Sequence, residues 1–169
     1  MDNTEKNTFA KNQITNAVIK LLETRSIEDI SISKIAETAG VSRVTFYRNY
    51  EDKADVLRKK IVQLLNDHYA EFLKTGKGSN EYFGSLFGHF KENRRFYSLL
   101  FKNDLGHLLQ TEIVNIAGPK PEFDNKLAYQ RAYFSYGLYG WIKEWMVRGM
   151  PEDTEDINRL LRENGGKLL

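Results

Sequence analysis

Residues 43–48 set two guanidinium groups, a hydroxyl and a phenol on one short stretch, as Arg43, Thr45, Tyr47 and Arg48. All are hydrogen-bond donors, suited to phosphate oxygens and to the acceptor edges of bases. Val44 adds an apolar contact, and Lys53 brings an ammonium shortly after. Residues 42–60 carry 6 basic and 3 acidic side chains. A phosphate-binding surface would use that small excess, and a solvated helix face would also show it.

Other chemistry finds no frame. His68, His89 and His107 have no histidine partner at helical spacing and no H-E-x-x-H setting. His68 lies on the apolar stripe of its helix, where it reads as a core or boundary residue. The chain has no cysteine, which excludes thiolate nucleophiles, iron–sulfur clusters and Cys-bound zinc. Gly76-Lys77-Gly78-Ser79 lacks the spacing of a phosphate-binding loop, and no G-x-S-x-G turn occurs. Glu152-Asp153-Thr154-Glu155-Asp156 reads as a charge cluster at a helix start rather than a metal-binding loop. No catalytic residue, metal site or cofactor is expected, and the chain does not read as an enzyme.

The donors must be positioned by helices. Ile14, Ala17, Val18, Leu21 and Leu22 form the stripe of a first helix within 8–24. Ser31 is placed to cap a second short helix carrying Ile35, Ala36 and Ala39, with Gly40 as its left-handed stop. Ser42 is placed to cap a third helix through Tyr47, and Asp52 a long fourth one with Leu57, Ile61, Leu64, Leu65, His68 and Phe72 along one face. Two short helices around a glycine turn, with small Ala36 at their crossing, describe a helix-turn-helix. They equally describe a helical hairpin in an all-α core.

Beyond residue 74, helical periods recur around Phe83–Phe90, Phe96–Phe101, 104–117, 122–148 and 154–163, separated by Gly- and Pro-bearing breaks. The 122–148 stripe points Leu127, Phe134, Leu138, Trp141, Ile142 and Trp145 inward. No period-2 strand or internal repeat is visible, so the expected class is all-α with eight or nine helices. The chain has 169 residues, a net charge of +2, 41% hydrophobic and 28% charged residues, ordinary values for a globular protein. No apolar run approaches a membrane span, and the polar start shows no secretory signal, so a cytoplasmic protein is expected. Of 21 aromatic residues, 17 lie beyond residue 60, so the two regions differ in interior.

Ile35-Ala36-Glu37-Thr38-Ala39-Gly40-Val41-Ser42-Arg43-Val44-Thr45-Phe46-Tyr47-Arg48-Asn49-Tyr50, then Lys53 and Leu57, closely resembles the DNA-binding signature of the TetR (tetracycline-repressor) family. That signature reads I-A-x-x-A-G-V-S-x-x-T-[FL]-Y-x-[HY]-F, then x-x-K-x-x-L. The match covers roughly residues 8–60. Asn49 and Tyr50 depart from it, standing where His or Tyr and then Phe are usual, and Ser26 stands where glycine is frequent.

The resemblance implies an N-terminal three-helix DNA-binding domain, residues 1–53, joined by a long helix to a helical dimerisation and effector domain, 54–169. It implies double-stranded DNA as partner, with Arg43, Val44 and Thr45 facing bases and Arg48 at their edge. Thr45 and Tyr47 would be phosphate-contacting hydroxyls, Lys53 would pin the backbone, and Ser31 and Ser42 would add contacts. It also implies a bacterial transcriptional regulator, a repressor in this reading, acting as a homodimer on a palindrome-like operator.

In such proteins the C-terminal helices dimerise and often enclose a small-molecule effector. The stretch 132–141 is apolar almost all round, which asks for cover on more than one side. Ala132, Tyr136, Tyr139, Gly140, Ile157, Leu160 and Leu161 are the expected interface, unless they complete the protomer's own core. Phe83, Phe87, Phe90, Phe101, Leu109, Tyr133, Phe134 and Trp141 would line a pocket, or form ordinary core. The stretch Arg95–Phe101, with Tyr136-Gly137-Leu138 and Trp141–Pro151, further and more loosely resembles short Gram-positive members of the family related to the dihydroxyacetone-kinase operon activator. That likeness implies a protein coactivator as an alternative partner, and an adaptor role as the competing function.

Overall fold

The structure, a computed structural model, describes residues 3–165, with the side chains at 3, 79, 80, 83, 162, 164 and 165 outside the described set. Among the described residues the chain is helical throughout. Its helices are α1 (Asn3–Leu22), α2 (Ile32–Ala39), α3 (Arg43–Asn49), α4 (Lys53–Lys74), α5 (Ser79–Glu92), α6 (Arg94–Lys102), α7 (Gly106–Ala117), α8 (Asn125–Val147) and α9 (Thr154–Gly165). No described helix is long and apolar enough to cross a membrane.

The local signals act as the sequence says. Ser31 Oγ accepts from the Lys34 amide at 3.1 Å, Ser42 Oγ from the Thr45 amide at 3.0 Å, and Asp52 Oδ1 from the Asp55 amide at 2.7 Å. Each satisfies an orphan donor at a helix start and contributes about 1 kcal/mol. Gly40 ends α2 at φ 66°, and its amide and that of Val41 close back on the Glu37 and Ala36 carbonyls. A side chain there would be strained, so the turn into α3 depends on glycine.

Helices α1, α2 and α3 close around Ile14, Val18, Leu22, Ile35 and Phe46, all buried. The same core continues without a break through Val56, Leu57 and Ile61 of α4 to Phe87, Phe90, Leu100, Leu109 and Ile142. α4 therefore links the N-terminal helices to the C-terminal bundle. An ion pair between Arg95 of α6 and Glu23 joins them a second time, at the surface.

A chain of polar side chains runs into the C-terminal core. His68 Nε2 lies 2.8 Å from Ser85 Oγ, its ring is 4.8 Å from that of His89, and His89 Nε2 is 2.9 Å from the Tyr97 hydroxyl. Burial, and secondarily the neighbouring His68, push the His89 pKa down from 6.5 to about 4. In the unfolded chain His89 regains its ordinary pKa and binds a proton that the fold rejects. Stability is therefore expected to rise with pH between about 4 and 6.5, and to fall as acid is added through that window. His89→Gln should flatten this part of the melting-temperature profile. An unchanged slope would assign the acid sensitivity to other groups.

Leu127 does not point inward as its period suggests. It sits in the first turn of α8 and is exposed, because the fully buried positions of this helix begin only at Ser135.

Candidate nucleic-acid interface

α3 is seven residues long and is anchored on one side only. Phe46 is fully buried and meets Tyr47 edge-on at 5.6 Å and Tyr50 at 5.9 Å between ring centroids. Asn49 is also buried, and its Nδ2 donates to the Thr45 carbonyl at 2.8 Å. With positions 46 and 49 inward, the helical period turns 43, 44, 47 and 48 outward. Val44 is 68% exposed and Tyr47 53%, and Arg43 and Arg48 are exposed beside them. Neither arginine makes an ion pair among the described residues. The face thus offers two free guanidinium forks, a phenol and an apolar patch, on a helix with little freedom to tilt.

The hydroxyls are more committed. Ser31 and Ser42 spend their oxygens on caps, and Thr45, half-buried, shares a 2.9 Å hydrogen bond with Ser42. Lys53 is committed too. Its Nζ donates to the Glu28 and Ile30 carbonyls, each at 3.0 Å. Two of its three N–H groups therefore hold the segment ahead of α2, and one is left for an outside acceptor. Lys53 positions the motif at least as much as it offers a charge.

Asp55, Lys59 and Tyr50, none of them named as a site residue from the sequence, tie α3 to α4 and α1. Asp55 is buried and accepts from the Glu51 amide at 3.1 Å, from Lys59 at 2.9 Å and from Arg58 at 3.3 Å. Burial by itself raises the Asp55 pKa, but the bonds from Lys59 and the Glu51 amide, with the charges of Lys59 and Arg58, outweigh it and leave it lowered. Lys59 also donates to the Asn49 carbonyl, the last of α3, at 3.0 Å and lies 5.2 Å from the centre of the Tyr50 ring. The Tyr50 hydroxyl, at a position where the signature has phenylalanine, meets Thr15 Oγ1 of α1 at 3.2 Å. The acid and base of Asp55 and Lys59, four apart at the start of a helix, were a visible signal. The Tyr50–Thr15 bond, across 35 residues, was not.

The C-terminal residues named from the sequence separate into distinct places. Phe87, Phe90 and Leu109 are fully buried in continuous core, so they do not line a pocket. Phe101, Phe134 and Trp141 are half-buried against that core, and Tyr133 is exposed. The side chain of Phe83 lies outside the described residues. Of the expected interface, Ile157 is already buried in the protomer's own core. Tyr139 packs against Phe101 at 6.4 Å between rings, Leu161 is half-buried, and Ala132 and Leu160 are intermediate. Tyr136 is 54% exposed and Gly140 is open, with Tyr129, Tyr133 and Val147 exposed on the same side of α8. The apolar surround of 132–141 is therefore half satisfied by the protomer and half left bare.

Two family descriptions match the chain. "Bacterial regulatory proteins, tetR family" matches residues 14–59, and "Transcriptional regulator C-terminal region" matches residues 77–164. No curated protein is significantly similar in sequence. Among solved structures, Lin0861 from Listeria innocua aligns over 100% of this chain and 96% of its own, with a TM-score of 0.79 and 17% identity. The fatty acid degradation regulator FadR from Bacillus halodurans aligns over 90% and 94%, with a TM-score of 0.58 and 15% identity. The dihydroxyacetone kinase operon activator DhaS aligns over 91% and 94%, with a TM-score of 0.56 and 20% identity. At these identities the three share the fold.

Proposed function

The chain belongs to the tetR family of bacterial regulatory proteins and is a transcriptional regulator rather than an enzyme, and on that footing we propose that it is a repressor that binds a palindrome-like operator as a homodimer. The observation that carries this reading is the outward face of α3, with Arg43, Val44, Tyr47 and Arg48 exposed and its arginines free of ion pairs. Residues 1–53 form the DNA-binding unit and 54–169 the dimerisation and effector-responsive unit. It works in the cytoplasm, where the DNA is.

Two copies place their α3 helices in successive major grooves, about 34 Å apart. The bare face of α8 supports the dimer. Tyr129, Tyr133, Tyr136, Gly140 and Val147 follow spacings of four, three, four and seven, one continuous stripe along the helix. A small-molecule effector acts through α4, whose Lys53, Asp55 and Lys59 grip the DNA-binding unit, so that a shift in the bundle changes the distance between the two α3 helices.

The test is binding of the purified protein to the DNA upstream of its own coding region, by fluorescence anisotropy over a salt series with competitor DNA. Tight, competitor-resistant binding is expected. Arg43→Ala should cost about 1–3 kcal/mol at a single base position. Tyr47→Ala should weaken all sequences alike, as a backbone contact does. Unchanged affinity in both variants would remove α3 from the interface. A second reading, an activator that needs a protein coactivator, draws on the shared fold with DhaS, named as an operon activator. Weak, competitor-sensitive binding by the protein alone would favour it.

A further inference from the structure

A short helix held at one point can pivot about it, and a second point fixes its direction. Buried Phe46 is the first such point on α3. The second lies at its last turn, where the carbonyls of a helix have no partner of their own. There the Tyr50 amide closes on the Phe46 carbonyl at 2.9 Å, and Lys59 Nζ of α4 donates to the Asn49 carbonyl at 3.0 Å. The dipole of α3 also favours an ammonium at its C-terminus.

Lys59 is itself held. Its ammonium lies 2.9 Å from Asp55 Oδ2 and sits over the Tyr50 ring, 5.2 Å from its centre. An ammonium has three N–H groups, and the carbonyl and the carboxylate take two of them. Asp55 is fixed in turn. It is buried, and it accepts from the Glu51 amide at 3.1 Å and from Arg58 at 3.3 Å. Tyr50 is buried too. Its hydroxyl donates to the Lys11 carbonyl at 3.4 Å and meets Thr15 Oγ1 at 3.2 Å. A brace thus runs from the start of α4, through Lys59, to the end of α3 and on to α1.

Charge near α3 is less available than its count suggests. Arg58 and Lys59 are among the 6 basic residues of 42–60, and both are spent on Asp55. Arg43 and Arg48 make no ion pair among the described residues. A bidentate contact to a base depends on angle as well as charge, because both N–H groups of the fork must meet the base edge together.

We propose that Lys59 is a positioning residue for base recognition, which sets the direction of α3 by holding its last carbonyl and gives no charge to the DNA. That role rests on the regulator reading above. Arg48 precedes the residue whose carbonyl is held, so it is the contact most directly served. Without Lys59, α3 pivots about Phe46, the base contacts loosen, and the attraction to phosphate remains.

Lys59→Met keeps the apolar stem and removes the ammonium, and Lys59→Arg keeps donors and charge. Fluorescence anisotropy over a salt series compares them on the upstream DNA and on a random duplex. Lys59→Met should weaken specific binding about tenfold, the scale of one base contact, and leave the random duplex unaffected. Its salt slope should stay unchanged, whereas loss of a phosphate contact would lower the slope by about 0.9. Lys59→Arg should restore most of the specific affinity, which a loss of bulk stability would not explain. Tyr50→Phe keeps the ring under Lys59 and cuts only the tie to α1, and should lower the specific-to-random ratio by less. Amide exchange by NMR reads the brace without DNA. In Lys59→Met the Phe46 and Tyr50 amides should exchange about tenfold faster, with Val18 of α1 unchanged. An equal loss on both duplexes with a lower salt slope would make Lys59 a phosphate contact and overturn the proposal. An unchanged ratio in both Lys59→Met and Tyr50→Phe, or unchanged exchange in Lys59→Met, would also overturn it. If the wild-type protein binds no DNA specifically, the regulator reading falls and takes the base-recognition role with it, while exchange still decides whether Lys59 holds α3.

Discussion

Phe46→Ala is expected to abolish specific DNA binding and to unfold the N-terminal helices near physiological temperature. Phe46 is fully buried and is the main inward residue of α3, in the same core as Ile14, Val18 and Ile35 and against the Tyr50 ring. Removing a buried phenylalanine costs about 3–5 kcal/mol in lost burial and residual cavity. That is a large part of the 5–15 kcal/mol, roughly, that holds a domain together. A seven-residue helix cannot survive on its own, so α3 would be lost with its anchor. Circular dichroism should show a lower melting temperature and reduced helix content, and anisotropy only salt-steep, non-specific DNA binding. Phe46→Leu keeps most of the volume and should restore much of both. Wild-type operator affinity in Phe46→Ala would mean that α3 is held by something other than this contact.

Tyr136→Asp is expected to convert a homodimer to a monomer and to weaken operator binding by about a hundredfold or more, because two tethered half-site contacts become two separate ones. Tyr136 is at the centre of the exposed stripe on α8, between Tyr133 and Gly140, and makes no hydrogen bond or ring contact among the described residues that the substitution would lose. An aspartate there is solvated in the monomer and buried in the dimer, so its cost falls on association. Sedimentation should move from twice 19.7 kDa to 19.7 kDa with the fold intact. Ile157→Asp is the contrasting case. It should unfold the bundle, because Ile157 belongs to the protomer's own core. A dimer that survives Tyr136→Asp would place the interface elsewhere.

Much of the DNA-binding unit is legible residue by residue. Ser31, Ser42 and Asp52 cap the helices they precede, and Gly40 takes the left-handed turn between two of them. A cap or a turn is settled within four residues of chain, so the sequence holds all the information it needs. The outward set of Arg43, Val44, Tyr47 and Arg48 follows from the same short-range logic once Phe46 is inward.

Other placements depend on residues far along the chain. Lys53, expected to pin the DNA backbone, also holds carbonyls 25 and 23 residues away. His68 and His89 looked solitary, yet their rings meet at 4.8 Å because α4 and α5 pack side by side. On α8, aromatic residues lie all round the helix, so periodicity could not say which the bundle would cover. Tyr139 is covered, and Tyr133 and Tyr136 are bare. The sequence by itself determined the helices, their ends and the donors on α3, because helix period and capping are local. Only the tertiary structure decided which faces of α8 and α9 are spent within the protomer, and that a cleft opens between α4, α5 and α9. Those outcomes depend on which helices become neighbours, and side chains far apart in the chain settle that together.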